Sequence, residues 1–372
     1  NVDWFLYSHR LPIILEAKSK GYDVHIATSI TDNVKKKSLM NNGIKFHELD
    51  FDRSGKNILK LIYGFIQIIF LFLKLKPDIL HLVTLQPIIL GGLAARICGI
   101  RKIIYSISGL GHTFLANNLS SSMRRLFILK MYNFALSNKE KLVIFQNSSD
   151  LSYLSKACSL LPSEVILIPG SGVDLNRYKY SDLPETNPVV LMASRLLISK
   201  GVYEFINSAK IIKEKGIKIN FQLAGKPDKL NPLSISNSEI DKWVSCGYID
   251  YLGFCNNLHE IIPRSHIVVL PSFYPEGLPK ILCEAAACGR AVITTNNPGC
   301  RDSIEEGKTG LIVRERDSIE LADTIINLAK NKKLLKSMSL ASRERAEKIF
   351  NIETIVEKHL KAYEYLKNLE HS

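Results

Sequence analysis

Short apolar runs alternate with longer segments of helical period along the whole chain. In the first half, residues 24–27, 79–83, 103–106, 142–146 and 165–168 read as buried strands, and residues 10–20, 88–98 and 121–136 read as helices between them. Runs apolar on both faces, separated by helix-length segments, predict parallel strands covered on each side by helices, a doubly wound α/β sheet. Gly21 and Gly99 stand where two of these helices should end. Residues 189–193, 219–223, 248–252, 267–270, 291–294 and 310–313 repeat the strand pattern in the second half. There a helix is expected over 201–215, another over 279–288, and helices fill residues 317–370.

The most hydrophobic stretch is 58–75, in which 61–73 is apolar apart from Gly64 and Gln67. Thirteen helical residues span roughly 20 Å, short of the ~30 Å of a bilayer's hydrocarbon core, so a transmembrane helix is not expected. The expectation is a helix buried against the sheet; one dipping partly into a membrane surface is the other reading. Lys56, Lys60, Lys74 and Lys76 flank the stretch and suit both.

A chain of 372 residues is too long for one core. The polar, proline-rich segment 181–188 (SDLPETNP) reads as a linker. It would divide a domain at 1–180 from one at 189–350, with a helix at 351–372 packing back toward the first. Two parallel sheets so joined would bind ligands in a cleft at the carboxyl ends of their strands.

Charge is unevenly shared. Residues 1–180 carry 23 Lys and Arg against 12 Asp and Glu, a net of +11, whereas the remainder carries 26 against 24, a net of +2. The basic half is expected to meet something anionic, a membrane surface or nucleic acid. Seven cysteines, an odd number with no C-x-x-C pair, read as free thiols of a reducing compartment. The chain begins at Asn1, so a few N-terminal residues are expected to be missing, and no signal peptide is evident in those present.

The densest chemistry lies in LPSFYPEGLPKILCEAAACGRAVI, residues 270–293. A strand ends at Leu270, Glu276-Gly277-Leu278 forms a turn, and a helix begins at Pro279, where the absent proline N–H costs nothing. The helix amino end favours an anion, and Glu276 and Glu284 are placed to grip sugar hydroxyls. Ala285-Ala286-Ala287 beside Glu284 argues for tight packing. Arg195 and Lys200, in SRLLISKG between a strand and a helix, are placed to converge on one anion, the guanidinium by forked hydrogen bonds and the ammonium as a point charge. SGLGH at 108–112 holds a G-x-G without the third glycine of a dinucleotide fingerprint. Asp50-Phe51-Asp52 is a D-x-D that reads as a chance loop sequence, and no cluster has metal-ligand spacing, so no metal or cofactor is expected.

The string P-S-x-x-x-E-G-x-P-x-x-x-x-E-A-x-A-x-G resembles the signature of family 4 retaining glycosyltransferases, whose mark is two glutamates with seven residues between them. The resemblance implies a GT-B fold of two Rossmann-like domains. It further implies that Arg195 and Lys200 hold the donor diphosphate, and that Glu276 with Gly277 and Leu278 meets the donor sugar. Glu284 would bind the ribose hydroxyls, Gly225 would approach the nucleotide, and Gly253-Phe254 would flank the base. Glu276, Arg195 and Lys200 are then the expected catalytic groups. At the amino end Ser8-His9-Arg10-Leu11-Pro12 looks like the loop after the first strand in members that extend undecaprenyl-diphosphate-linked glycans. Gly109 and Gly111 match the same subgroup, making His9, Arg10, Gly109, Gly111 and His112 the acceptor-side candidates.

The implied activity is retaining, metal-independent transfer of a hexose or N-acetylhexosamine from a nucleotide-diphosphate sugar, a UDP-sugar as first choice, to a polyprenyl-diphosphate-linked saccharide in bacterial surface glycan synthesis. The enzyme would be cytoplasmic and peripheral to the anionic face of the inner membrane. A GT-B enzyme with a soluble acceptor is the nearer alternative. A dehydrogenase would need a complete glycine fingerprint, and a nucleic-acid-binding protein would need a module that these residues do not offer.

Overall fold

The computed structural model describes residues 3–30, 33–50, 57–111, 119–228 and 231–369. Its chain divides into two compact units, residues 1–171 with 352–372 and residues 172–351.

The first unit opens with helices α1 (Asp3–His9) and α2 (Leu11–Ser19), followed by β1 (His25–Thr28), α3 (Asn33–Asn41) and β2 (Lys45–Glu48). Then come α4 (Ile58–Leu75), β3 (Leu80–Val83), α5 (Leu85–Ile97), β4 (Lys102–Ile107), α6 (Leu119–Ala135), β5 (Glu140–Phe145), α7 (Ser148–Ala157) and β6 (Val165–Leu167). Strands β3-β4-β5-β6 form one parallel sheet in that order, and β1-β2 form a parallel pair. Alternation along β4 explains the burial of every residue in it after Lys102. Ile103, Tyr105 and Ile107 enter one core with Ile88 and Ile68, while Ile104 points the other way, into a core with Ile355, Ala362 and Leu366.

The second unit runs β7 (Val189–Ala193), α8 (Val202–Glu214), β8 (Asn220–Ala224), α9 (Asn237–Ser245), β9 (Asp250–Gly253), α10 (Leu258–Ile261), β10 (Ile267–Leu270) and α11 (Lys280–Ala287). It continues through β11 (Ala291–Thr295), α12 (Pro298–Asp302), β12 (Gly310–Val313), α13 (Ser318–Lys330) and α14 (Lys332–Arg345). The last helix, α15 (Ile352–Asn368), belongs to the first unit. The second sheet is wholly parallel, in the order β12-β11-β10-β7-β8-β9. The chain works outward from β7 to β9, returns to the far side of β7 at β10, and works outward again. The carboxyl ends of β7 and β10 therefore flank the point where strand order reverses, where open α/β sheets leave a crevice for ligands.

Three expectations are corrected. Residues 8–12 are not a loop after a strand. Asp3–His9 is helical, and α2 starts at Leu11 with Pro12 in its first turn, where the missing N–H is no loss. Residues 181–188 do not lie between the units. The buried Arg290 donates Nη2 hydrogen bonds to the carbonyls of Ser181 (3.0 Å) and Asp182 (3.2 Å), and His266 Nε2 lies 3.0 Å from the carbonyl oxygen of Pro184, so the segment is fixed to the second unit. Helix α4 is not buried: only Gly64, Ile68 and Phe72 are, although nearly every position is apolar. Asp52, Lys56 and His112 lie outside the described residues.

Candidate functional site

Two loops meet at the crossover of the second sheet. One leaves β7 through Ser194-Arg195 and a 3-10 turn, Ile198–Lys200, into α8; the other leaves β10 through Pro271-Ser272 and reaches α11. Gly201 allows the approach. Its φ of +80° is left-handed, and a Cβ there would stand 2.2 Å from the carbonyl oxygen of Pro271, so no other residue fits without moving backbone. The Phe273 N–H donates to the Ser199 carbonyl at 3.1 Å and ties the second loop to the first.

This junction places Lys200 against Glu276, their Nζ and Oε1 forming an ion pair with both side chains 12% exposed. Glu276 is further oriented by Ser272, whose Oγ lies 3.0 Å from the same carboxylate oxygen and 3.2 Å from the Ser199 carbonyl. The Ser272 hydroxyl also accepts the Tyr274 N–H at 3.2 Å, and the Tyr274 ring lies 5.8 Å from Lys200 Nζ. From behind, the Asn297 amide donates to the Ser272 carbonyl at 2.8 Å, joined there by the Thr295 hydroxyl. A carboxylate and an ammonium are thus presented together on rigid backbone at a sheet switch point, beside the amino end of α11. Gly277 and buried Leu278 complete the turn into that helix.

Glu284 lies within α11, 5% exposed, on a helix whose residues 282–287 are all buried. The alanines after it allow this close packing. Lys280 Nζ is 3.7 Å from its Oε1, and Tyr178 hydrogen-bonds it. Burial raises the Glu284 pKa, opposed by Lys280, the Tyr178 hydrogen bond and Arg177.

Arg195 is about half exposed, and its Nη1 lies 3.6 Å from Asp228 Oδ2, beyond the end of β8. Gly225 follows β8 at φ +141°; a Cβ on it would stand 2.0 Å from the Ser194 carbonyl oxygen. Its N–H donates to the Gly253 carbonyl at 2.7 Å, and its own carbonyl accepts the Tyr251 hydroxyl at 2.8 Å. The loops after β7, β8 and β9 are thereby stitched together. Phe254 stands 61% exposed beyond them, with Lys226 Nζ 4.8 Å from its ring centre. Sequence reasoning missed Ser272, Asn297 and Tyr178 as supports. A hydroxyl four residues before Glu276 was a usable signal for the first; nothing local marks Tyr178.

In the first unit, His9 ends α1 with its ring stacked on Phe5 at 4.3 Å. Arg10 is 6% exposed and joins the glycine segment through Nη2, 3.3 Å from Ser108 Oγ. Its Nε and Nη1 have no hydrogen-bond partner among the described residues. Burial lowers its pKa to about 10. Gly109 and Gly111 follow β4 with φ of 111° and 73°. Beside Arg10, His81 lies between Tyr363 Oη (2.8 Å) and Ser106 Oγ (2.7 Å), and the buried His359 has neither ring nitrogen paired among the described residues. Among the described residues no group of three or more His, Cys, Asp or Glu is arranged to hold a metal ion.

Residues 177–345 match the family described as Glycosyl transferases group 1, and residues 1–147 match Glycosyl transferase 4-like. The chain is 27% identical to the N,N'-diacetylbacillosaminyl-diphospho-undecaprenol alpha-1,3-N-acetylgalactosaminyltransferase of Campylobacter jejuni, covering 98% of this chain and 97% of that one. It is 25% identical to the UDP-Gal:alpha-D-GlcNAc-diphosphoundecaprenol alpha-1,3-galactosyltransferase of Escherichia coli, covering 81% and 79%. Among solved structures, Anabaena HepE in complex with UDP superposes with a TM-score of 0.75 at 19% identity, covering 95% of each chain. Sucrose-phosphate synthase of Thermosynechococcus elongatus gives 0.80 at 19% identity, covering 95% and 92%. The shared architecture is GT-B.

Proposed function

The chain belongs to the glycosyltransferases, with a 4-like and a group 1 domain, and on that premise we propose that it moves a hexose or N-acetylhexosamine from a UDP-sugar to a polyprenyl-diphosphate-linked saccharide during surface glycan synthesis. The observation that carries this reading is the Lys200–Glu276 pair at the switch point of the second sheet. The relatives named above act, by their names, on diphosphoundecaprenol-linked sugars and form alpha-1,3 linkages, which supports the acceptor class and retention of configuration.

In the reaction so read, the acceptor hydroxyl oxygen bonds to the anomeric carbon on the face that the diphosphate leaves. The C1–O bond to phosphate breaks, and the hydroxyl proton passes to the departing diphosphate oxygen. Lys200 and Arg195 stabilise the charge developing on that group, the first held in place and the second able to swing from Asp228. Glu276 positions the sugar hydroxyls and Glu284 the ribose, while Gly225, Gly253 and Phe254 border the nucleotide. The acceptor falls to the first unit, with His9, Arg10, Gly109, Gly111 and His112 as its contacts, at the cytoplasmic surface of an anionic membrane. With two cations supplying the positive charge, the reaction is read as needing no metal, so chelation with EDTA should leave the rate unchanged.

A thermal-shift panel of UDP-, GDP- and ADP-sugars tests the donor assignment. A UDP-sugar should raise the melting temperature of wild type and raise it far less in Lys200→Ala, because a ligand stabilises only the state that binds it. Equal shifts in both proteins would remove Lys200 from the donor site.

A further inference from the structure

We propose that the outward face of α4, extended by α6, is a docking surface that inserts shallowly into an anionic lipid bilayer; it rests on the reading that the acceptor is lipid-linked and identifies the face that meets the lipid. The first observation is the pattern around α4. Gly64, Ile68 and Phe72, four residues apart, form its buried stripe. Ile58, Leu59, Ile62, Tyr63, Ile66, Phe70 and Leu73 are all exposed, Leu59 by 79% and Phe70 by 69%. At about 100° per residue these seven occupy roughly 140° of arc on the side opposite the stripe. A helix of a soluble domain turns polar residues outward, whereas this one is apolar on both faces.

The second observation concerns the neighbours. Helix α5 packs against both α4 and α6, and α6 exposes Met123, Leu126 and Phe127. Arg124 and Arg125 are interleaved among them, and Lys130 follows nearly one turn on. Residues 58–139 carry ten Lys and Arg but only one carboxylate, Asp78, a net charge of +9. A protein partner or a second copy of the chain would have to cover apolar surface and also supply acids. This region has almost none, so two copies of it repel each other. A bilayer with anionic headgroups supplies acyl chains and negative charge together.

The geometry also fixes how the helix sits. Its buried stripe is seated in the first unit's core through Ile68 and Phe72, so α4 lies along the domain surface. It therefore rests in the membrane interface with its axis in the plane, the arrangement of a monotopic amphipathic helix, although its 18 residues approach the length of a spanning one. Lys60 and Lys74 border the exposed arc, where their ammonium groups reach headgroups while their stems follow the apolar surface.

The test is co-sedimentation of the full chain with sucrose-loaded vesicles of phosphatidylcholine alone and of phosphatidylcholine with about 30% phosphatidylglycerol, at low and high salt. Wild type should bind the anionic vesicles at least about tenfold more tightly than the neutral ones, and salt should weaken this binding. The double variant L59E/F70E, altered only at exposed positions, should lose at least tenfold in affinity for anionic vesicles. It should keep its turnover on a short-chain, water-soluble acceptor analogue. Undiminished binding by the double variant, or equal binding to both vesicle types, overturns the proposal. So does a lipid-free dimer of wild type that the same two substitutions dissociate. A single variant, F70W, provides a second measurement: vesicles with brominated acyl chains should quench its fluorescence beyond the quenching seen in wild type, and equal quenching counts against insertion. Vesicle binding decides the docking surface, while turnover of the soluble analogue separately decides the proposed activity.

Discussion

Lys200 in the second unit and Arg10 in the first are both cations largely removed from water, and the fold treats them in opposite ways. Lys200 has a carboxylate against its ammonium, and that carboxylate has its own hydroxyl partner in Ser272. Arg10 has a single 3.3 Å contact with the Ser108 hydroxyl, two nitrogens unpartnered among the described residues, and the histidines His81 and His359 as electrostatic neighbours. A desolvated charge is tolerable when its partners are built in, and otherwise costs several kcal/mol until something supplies them. The contrast separates a preorganised site, whose order precedes its ligand, from a strained one that gains by acquiring an anion.

The largest effect should come from breaking the paired cation. Lys200→Ala removes positive charge from the leaving diphosphate and leaves Glu276 without its counter-ion, so kcat/KM should fall about a thousandfold, or ~4 kcal/mol of transition-state stabilisation. Glu276→Ala should do comparable damage. Because the two groups act as one unit, the double variant should be little worse than either single one. Steady-state kinetics of the four proteins decides it; losses that simply add would show two independent groups.

Acid should distinguish the units next. Burial is the largest cause depressing His81, to about 3, and it also holds His359 well below its usual value. A base whose folded pKa is depressed contributes stability that is complete above the unfolded value near 6.5 and is lost as pH falls toward the folded one. Each histidine can then remove up to about 1.4 kcal/mol per pH unit below 6.5. In the second unit burial raises Glu204 and Glu284, whose contribution has the reverse sign: it is complete at low pH and lost as pH climbs through their raised values. Buried His266, also depressed, partly offsets them. Between pH 6.5 and 5, hydrogen exchange should therefore quicken in β4 and α15 while α11 keeps its protection. Parallel loss in both units would refute the asymmetry.

Arg10 gives a smaller and more diagnostic result. Replacing a buried, unpaired charge with Leu should leave the melting temperature unchanged or higher, since it ends a desolvation cost. If Arg10 receives the acceptor's diphosphate, the same change should raise the acceptor KM about tenfold, the loss of one charge-assisted contact, without altering the KM for donor. A lower melting temperature with an unchanged acceptor KM would make Arg10 a structural residue and erase the contrast with Lys200.

The same two regions also differ in how much their residues reveal. The second unit announces itself: 267–270 and 291–293 are apolar without interruption, the helix expected over 279–288 matches Lys280–Ala287 to within one residue at either end, and the paired glutamates stand in a recognisable string. Long-range partners are the part that local pattern does not carry. Tyr178 reaches Glu284 from far along the chain, and Arg290 pins residues 181–188, which otherwise have a linker's composition. In the first unit β2 is only four residues, KFHE, too short and too charged for hydrophobic patterning to mark. Helix α4 misleads in the other direction, because hydrophobicity reports a wish to leave water without saying whether protein or lipid provides the refuge.

Ser272 should give the smallest effect and the finest test of preorganisation. Its hydroxyl lies near both Glu276 Oε1 and the Ser199 carbonyl, with the Tyr274 N–H as donor to it, so it couples the two loops through one atom. Ser272→Ala leaves the Lys200–Glu276 pair standing and deletes the hydrogen bond that orients the carboxylate, a change of about 1 kcal/mol. If that bond only supported the fold, the cost would appear in the melting temperature and kcat would be unmoved. If it holds Glu276 in a productive pose, kcat should fall about fivefold with little change in donor affinity, and Ser272→Thr, which restores the hydroxyl, should recover much of the loss. The serine and threonine proteins thus separate packing from positioning at a side chain that makes no contact with substrate in this mechanism.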